Sequence, residues 1–403
     1  MERRAETHLV IKRRPEVEAG IELASPDEEY RGFPFEVVTE ELTDSEAADL
    51  RREGLVKDVI PSVNLSLIAP LELSSQSPDA GAGEVWGVEA VGANRCDEVG
   101  RGVTIAILDT GIDHNHVAFT KTKLELIDFV AHPEGVEGSA PDEPSGHGTH
   151  VAGTAFGCTV DGKRIGVAPG IDRGLIVKVV GPEGASTEAV TLGLEWALKR
   201  KADIVSMSLG IDFPALVGRL IEKDYPIKIA TSRALEAYRS TLLFFDELHS
   251  YFDPLARKGC GAILIAASGN ESQREIDPRF TVAIAPPAAA KGFISVGAIS
   301  SIKGEKSGFT ISSFSNTGCL LVAPGQSVLS AKRNGGLIAM SGTSMATPHV
   351  AGVAALWLQN LFPNGERPDH WGNDVRRKLE ANAVSLPGHR RHVGLGLVQA
   401  PQK

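Results

Sequence analysis

Five short stretches constrain the fold of this chain more than anything else in it. Val103 to Leu108, Gly174 to Val180, Ile204 to Leu209, Ala262 to Ala267 and Phe293 to Ile299 are apolar almost throughout, not apolar at every second residue. A strand with one wetted face alternates, whereas a continuously apolar strand is covered on both faces. Helical patterns such as Thr187 to Lys199 lie between these stretches. The whole therefore predicts an α/β architecture, a parallel sheet flanked by helices. At 403 residues the chain has room for one such unit of roughly 250 to 320 residues plus an appendage.

The appendage comes first. Residues 1–73 are charge-rich and read as a small α+β module. His8 to Ile11, Pro34 to Val38 and Val56 to Ile68 have strand character, and Thr43-Asp44-Ser45-Glu46 is a capping box opening a helix through Arg52. Residues 74–84, beginning Ser74-Ser75-Gln76-Ser77-Pro78, are small and polar, as in an exposed linker. The sheet unit then occupies 85–403. Inside it, 211–260 is a long connection, with Leu235, Tyr238, Leu242, Phe245, Leu248 and Phe252 at the spacing of an amphipathic helix over Thr231 to Ala256. It reads either as a lid or as an extra helix covering the core.

The net charge of −10 is spread along the chain without a basic stripe, which argues against a nucleic-acid partner. No run approaches the ~18 apolar residues of a membrane span, and no apolar segment follows Met1 to Ala5, so the expectation is a cytosolic protein without a membrane partner. Cys96, Cys158, Cys260 and Cys319 lack metal-type spacing and read as reduced thiols.

Four segments carry chemistry. Ile105 to Gly111 places Asp109 at the end of a buried strand, where a carboxylate can orient an imidazole. Gly146-His147-Gly148-Thr149-His150 puts His147 at the entrance of a helix of small residues, which suits a general base. In Ser341-Gly342-Thr343-Ser344-Met345-Ala346-Thr347-Pro348, the proline is expected in the first helical turn, so Ser344 stands at a helix N-terminus, where a developing oxyanion is stabilised. Ala266-Ala267-Ser268-Gly269-Asn270 leaves an amide at the tip of another strand, able to donate to that oxyanion. Taken singly, each residue also reads as a turn or cap residue.

Together, in the order Asp, His, Asn, Ser, these segments resemble the signature blocks of the subtilisin-like serine proteases. The resemblance runs from about Trp86 to Ala400 and takes in Gly166-Val167-Ala168-Pro169, Ser206-Met207-Ser208-Leu209-Gly210 and Val393 to Val398. It implies a seven-stranded parallel sandwich and a serine endopeptidase with Asp109, His147 and Ser344 as triad and Asn270 in the oxyanion hole. It also implies that Ser208, Leu209 and Gly210 pair with extended polypeptide substrate, and that Ala266, Ala267, Ser268 and Gly269 line one wall of the primary specificity pocket.

The same resemblance makes residues 1–73 similar to an inhibitory propeptide, with Leu65 to Leu73 as the tail in the groove and self-cleavage between Leu71 and Gly83. The other reading of the module is a permanent domain. No cofactor is required, and the usual calcium ligands are replaced by Ala118, nine positions after Asp109, and by Val160. Asp113, His114 and His116 lie in a surface loop that the family has without a metal, so no metal site is expected. Two further function classes share these residues: a peptide ligase or macrocyclase, which would need a cap such as 211–260, and a catalytically silent binding protein, which would have lost a triad residue.

Overall fold

The computed structural model describes residues 5–15, 17, 32–68, 83–251, 261–302 and 308–402. At its centre is a nine-stranded sheet. Seven strands run parallel in the order Lys123–Asp128, Arg173–Lys178, Thr104–Asp109, Ile204–Met207, Ile263–Ala267, Ile294–Ser301 and Leu321–Pro324. Two short antiparallel strands, Val136–Glu137 and Phe309–Ile311, complete it and had no counterpart in the sequence reading.

The continuously apolar runs are covered on both faces, as expected. In Thr104–Asp109 every residue is buried; Ile105 and Ile107 enter one core, Ala106 and Leu108 the other. The first core lies beneath the helices His147–Phe156 and Thr343–Leu361. The second lies beneath Thr187–Lys199 and Ile227–Ser250. Ile204 to Leu209 is not one strand: Ile204–Met207 stays in the sheet, while Leu209–Gly210 leaves it and pairs elsewhere.

The N-terminal module is a three-stranded antiparallel sheet, Phe35–Leu42, Glu6–Arg13 and Val56–Pro61 in that spatial order. The capping box forms on the helix Asp44–Leu50. Val56 to Ile68 breaks into Val56–Pro61 and Ser66–Leu67. Alternation gives the sheet two apolar faces. Val10, Val56 and Val59 pack with Leu42 and Ala47, within the module. Leu9, Ile11, Phe35 and Val37 point the other way and join the second core with Leu194, Phe244 and Phe245. The module therefore shares a core with the sheet unit and has no face of its own to spare.

The connection 211–260 holds two helices, Phe213–Glu222 and Ile227–Ser250, where the sequence suggested one. Asp212 caps the first, and Asp224, at φ 64°, turns the chain into the second. The buried stripe of the longer helix is Ala230, Ala234, Ala237, Thr241, Phe244, Phe245 and Leu248. Leu235, expected inside, is 57% exposed, because small alanines on the neighbouring face allow the closer approach. Phe252 and the proposed helix end at Ala256 lie outside the described residues.

This helix also meets the module. Lys57 pairs with Glu247 and donates to the Tyr251 hydroxyl at 3.0 Å. Arg233 pairs with Glu6, and Phe35 stands against Phe244 and Tyr251, with ring centroids 6.2 and 5.6 Å apart. Of the linker, Gly83–Glu84 forms a short parallel pair with Lys163–Arg164, and 74–82 lie outside the described residues. Cys96, Cys158 and Cys319 are free thiols; Cys260 lies outside the described residues.

Candidate active site

Asp109 is the last residue of its strand and is 1% exposed. Its Oδ1 accepts from the His147 ring at Nδ1, 2.7 Å away, and from the Thr110 amide at 2.8 Å. His147 opens its helix and is fully buried. The glycines around it have a steric purpose: a Cβ on Gly148 would stand 2.1 Å from the Gly111 carbonyl oxygen, so the strand-end turn and the helix start touch backbone to backbone.

A second carboxylate fixes that junction. Asp142, 6% exposed, accepts from the Thr110 hydroxyl at 2.6 Å through Oδ1. Its Oδ2 accepts from the Thr149 amide at 2.8 Å and the Thr149 hydroxyl at 2.5 Å. It thus joins the turn after Asp109 to the first turn of the His147 helix, where the helix dipole favours negative charge. Thr110 in turn accepts from the Gly148 amide at 2.9 Å. Sequence reading missed Asp142, Thr110 and Thr149 as positioning residues. The signal was faint: an acidic residue just ahead of Pro144 and the Gly146 turn.

Ser344 is the second residue of Thr343–Leu361, at the N-terminal end as expected, but Pro348 lies inside the helix and not in its first turn. A proline there leaves the carbonyl of Ser344 without its helical donor. The Ser208 hydroxyl supplies one, at 3.2 Å. Asn270 follows Ile263–Ala267, and its Oδ1 accepts from the Thr343 amide at 2.9 Å and the Thr343 hydroxyl at 3.0 Å. That fixes the side-chain amide, with Nδ2 3.0 Å from where a Cβ would stand on Gly342. Thr343 is another positioning residue not foreseen.

Residues 65–68 run through this site. Leu65 and Ala185 exchange both backbone hydrogen bonds at 2.8 Å. Ser66 and Leu67 pair antiparallel with Gly210 and Leu209, and the Ile68 amide donates to the Ser208 carbonyl at 3.2 Å. The Ser344 hydroxyl donates to the Ile68 carbonyl oxygen at 2.7 Å. His147 Nε2 has no hydrogen-bond partner among the described residues. The Ile68 side chain borders a cavity of about 220 Å³ whose walls include Ala267, Ser268 and Gly269. Ala266, expected in that wall, is fully buried in the second core.

Residues 100–396 match the Subtilase family. An intracellular serine protease of Paenibacillus polymyxa is 36% identical over 297 residues, 72% of this chain and 78% of that protein. The chain belongs to the subtilase family. The major intracellular serine protease of Bacillus subtilis is 34% identical over 263 residues, 64% of this subtilase and 68% of the relative. The fold also resembles that of fervidolysin from Fervidobacterium pennivorans, with a TM-score of 0.65 and 23% identity over 98% of this chain and 60% of the other. The activity of this subtilase is that of its family, a serine endopeptidase.

The remaining histidines of the motifs serve as pins. His150 donates from Nε2 to the Val328 carbonyl at 2.9 Å, and burial pushes its pKa down to about 3. His349 donates from Nδ1 to the Met345 carbonyl at 2.8 Å, and burial pushes its pKa down to about 4. At Ala118 and Val160 the residues do not fit a calcium ion, since both side chains are packed in the first core. In the Asp113 loop, Asp113 accepts from the amides of Asn115 and Asn334, and His116 is bound to Gly336 and Ala118. No helix among the described residues is long and apolar enough to cross a membrane.

Proposed function

We propose that this subtilase is made as a self-inhibited precursor in which residues 65–68 occupy the substrate groove as a pseudo-substrate. The observation that carries the reading is the 2.7 Å hydrogen bond from the Ser344 hydroxyl to the Ile68 carbonyl, at the end of a strand held on both edges. An extended peptide held in this way presents its backbone to the groove and its side chains to pockets. The module 1–73 is the inhibitor, and the site of self-cleavage is the Ile68–Ala69 bond. The interval earlier assigned to that cut, Leu71 to Gly83, lies outside the described residues apart from Gly83.

In turnover, Ser344 Oγ attacks the substrate carbonyl carbon while its proton passes to His147 Nε2. The carbonyl oxygen becomes an oxyanion, which Asn270 Nδ2 and the Ser344 amide receive. Asp109 holds His147 in the tautomer that leaves Nε2 able to accept and stabilises its cation. The C–N bond then breaks, the imidazolium proton goes to the leaving amine, and water releases the acyl group by the same path in reverse. Substrates are polypeptides in extended form, paired on Ser208, Leu209 and Gly210. We place the enzyme inside the cell, a reading supported by the two relatives whose names call them intracellular.

Mass spectrometry of the incubated wild-type chain beside Ser344→Ala tests the proposal. The wild type should shorten to a product beginning at Ala69 while the variant stays intact. Identical intact masses for both would overturn self-processing.

A further inference from the structure

Asn270 is held by two residues in two different ways. Thr343 fixes its side chain. The backbone around it is fixed by Asn316, which carries no motif and is 1% exposed. The Asn316 amide donates to the Gly269 carbonyl at 3.1 Å. Its side-chain Oδ1 accepts from the amides of Glu271 and Ser272, both at 3.1 Å, and from the Ser272 hydroxyl at 3.2 Å. One residue therefore grips the chain immediately before and immediately after Asn270. On the other side of the same side chain, Nδ2 donates to Glu271 Oε2 at 2.5 Å.

Chemistry decides the orientation of that side chain. A backbone N–H can only donate and an ionised carboxylate can only accept, so Oδ1 faces the two amides and Nδ2 faces Glu271. An aspartate in its place would set a second carboxylate against Glu271, and an apolar residue would withdraw the acceptor from both amides. The anchor is itself tied down. The Thr317 amide donates to the Val282 carbonyl at 2.8 Å, and the Ala298 amide, in the strand Ile294–Ser301, donates to the Ser315 hydroxyl at 3.0 Å. The turn lies directly on Asn316: a Cβ on Gly269 would stand 2.2 Å from its Nδ2. Among the described residues, the cavity beside Ile68 is lined by Gly269, Asn270 and Glu271 but not by Asn316, which stands behind the turn.

We propose that Asn316 is a positioning residue for the oxyanion hole, holding the turn Gly269 to Ser272 so that Asn270 Nδ2 stays where the negative charge develops. A donor stabilises that charge only if it is fixed in place beforehand, so its anchor contributes to the rate without touching substrate. The inference rests on Asn270 as the oxyanion donor, and the experiment separates the two.

The test measures kcat and KM for a reporter peptide with the incubated full-length chain. The rate is expressed per Ser344 labelled to completion by a fluorophosphonate, so that inactive molecules do not count. Asn270→Ala should lower kcat by about 100-fold or more. Asn316→Ala should lower kcat by about tenfold or more while KM stays within about twofold. In the Asn270→Ala background the same change should cost less than about twofold further, because the donor it positions is gone. Equal costs in the two backgrounds, or a raised KM at unchanged kcat, overturn the proposal. An unchanged kcat in Asn270→Ala alone would instead sink the oxyanion assignment beneath it.

A second pair of variants leaves no cavity. Asn316→Asp, assayed at alkaline pH with both facing carboxylates ionised, should lose about tenfold in kcat. Adding Glu271→Gln turns the contact round, the new amide donating to the new carboxylate, and should recover most of that loss. A double variant as slow as Asn316→Asp alone refutes the positioning role.

Discussion

The N-terminal module meets the rest of the molecule in two places held by different physics. In the groove, residues 65–68 are bound through backbone: Leu65 to Ala185, Ser66 and Leu67 to Gly210 and Leu209, Ile68 to Ser208. On the helical platform, the module is bound through side chains: Lys57 to Glu247, Arg233 to Glu6, Thr39 to Glu188 at 2.7 Å, and Phe35 against Phe244. Backbone pairing does not depend on which residues are paired, so any extended chain can take the groove. The platform contacts depend on particular charges and rings, so they fit this module and not a passing substrate. On the proposed reading, self-inhibition would join an interchangeable contact to a specific one.

Acid is the strongest means of breaking the groove side. The helices that carry His147 and Ser344 also contain His150 and His349, which burial keeps neutral with pKa values of about 3 and about 4. The unfolded chain takes up protons at these positions near the ordinary histidine value, so below it the unfolded state binds more protons than the folded one. The stability they contribute is therefore present above that value and is lost as pH falls toward the folded values. By pH 5 each should have given up about 2 kcal/mol. The Tm of the Ser344→Ala chain should fall steeply between pH 7 and pH 5, and a flat profile over that range would contradict the burial argument.

The next largest effect should come from Leu65, which is fully buried beside Ala185. Leu65→Ala removes about 3 kcal/mol of packing while leaving the backbone bonds in place. Initial hydrolysis of a reporter peptide by the full-length chain should rise by up to about 100-fold. No rise would mean that the backbone pairing alone keeps the groove closed.

The smallest effects belong to the platform ion pairs. Lys57→Ala and Arg233→Ala break partly exposed pairs worth about 0.5 to 1 kcal/mol each. Reporter hydrolysis should rise about two- to fivefold at low salt, and the difference from wild type should shrink as ionic strength increases. A salt-independent rise would assign the platform to its apolar contacts instead.

Much of the candidate site's layout was legible in the sequence because each motif is a local device. Asp109 ends a strand whose apolar run announces it, and Gly148 is glycine because the Gly111 carbonyl leaves no room for a Cβ. The helix entrances of His147 and Ser344 could be placed from neighbouring glycines and Pro348, although the proline lies deeper in its helix than expected. Asp142 was not legible, because it carries no motif and acts only where two segments distant in sequence converge. The same holds for Thr343, which holds the Asn270 side chain already read from its motif, and for the burial of Ala266, which the strand turns into the core and away from the pocket.

By itself, then, the sequence determined the parallel sheet, the module that precedes it and the residues poised for chemistry, since periodicity and steric need are written residue by residue. Only the tertiary structure decided that Ile68 meets Ser344, that the long helix meets the module through Arg233, Phe244 and Glu247, and that Asp212 and Glu271 share a cavity. Each depends on the packing of elements far apart in the chain, where distance in space is unrelated to distance in sequence.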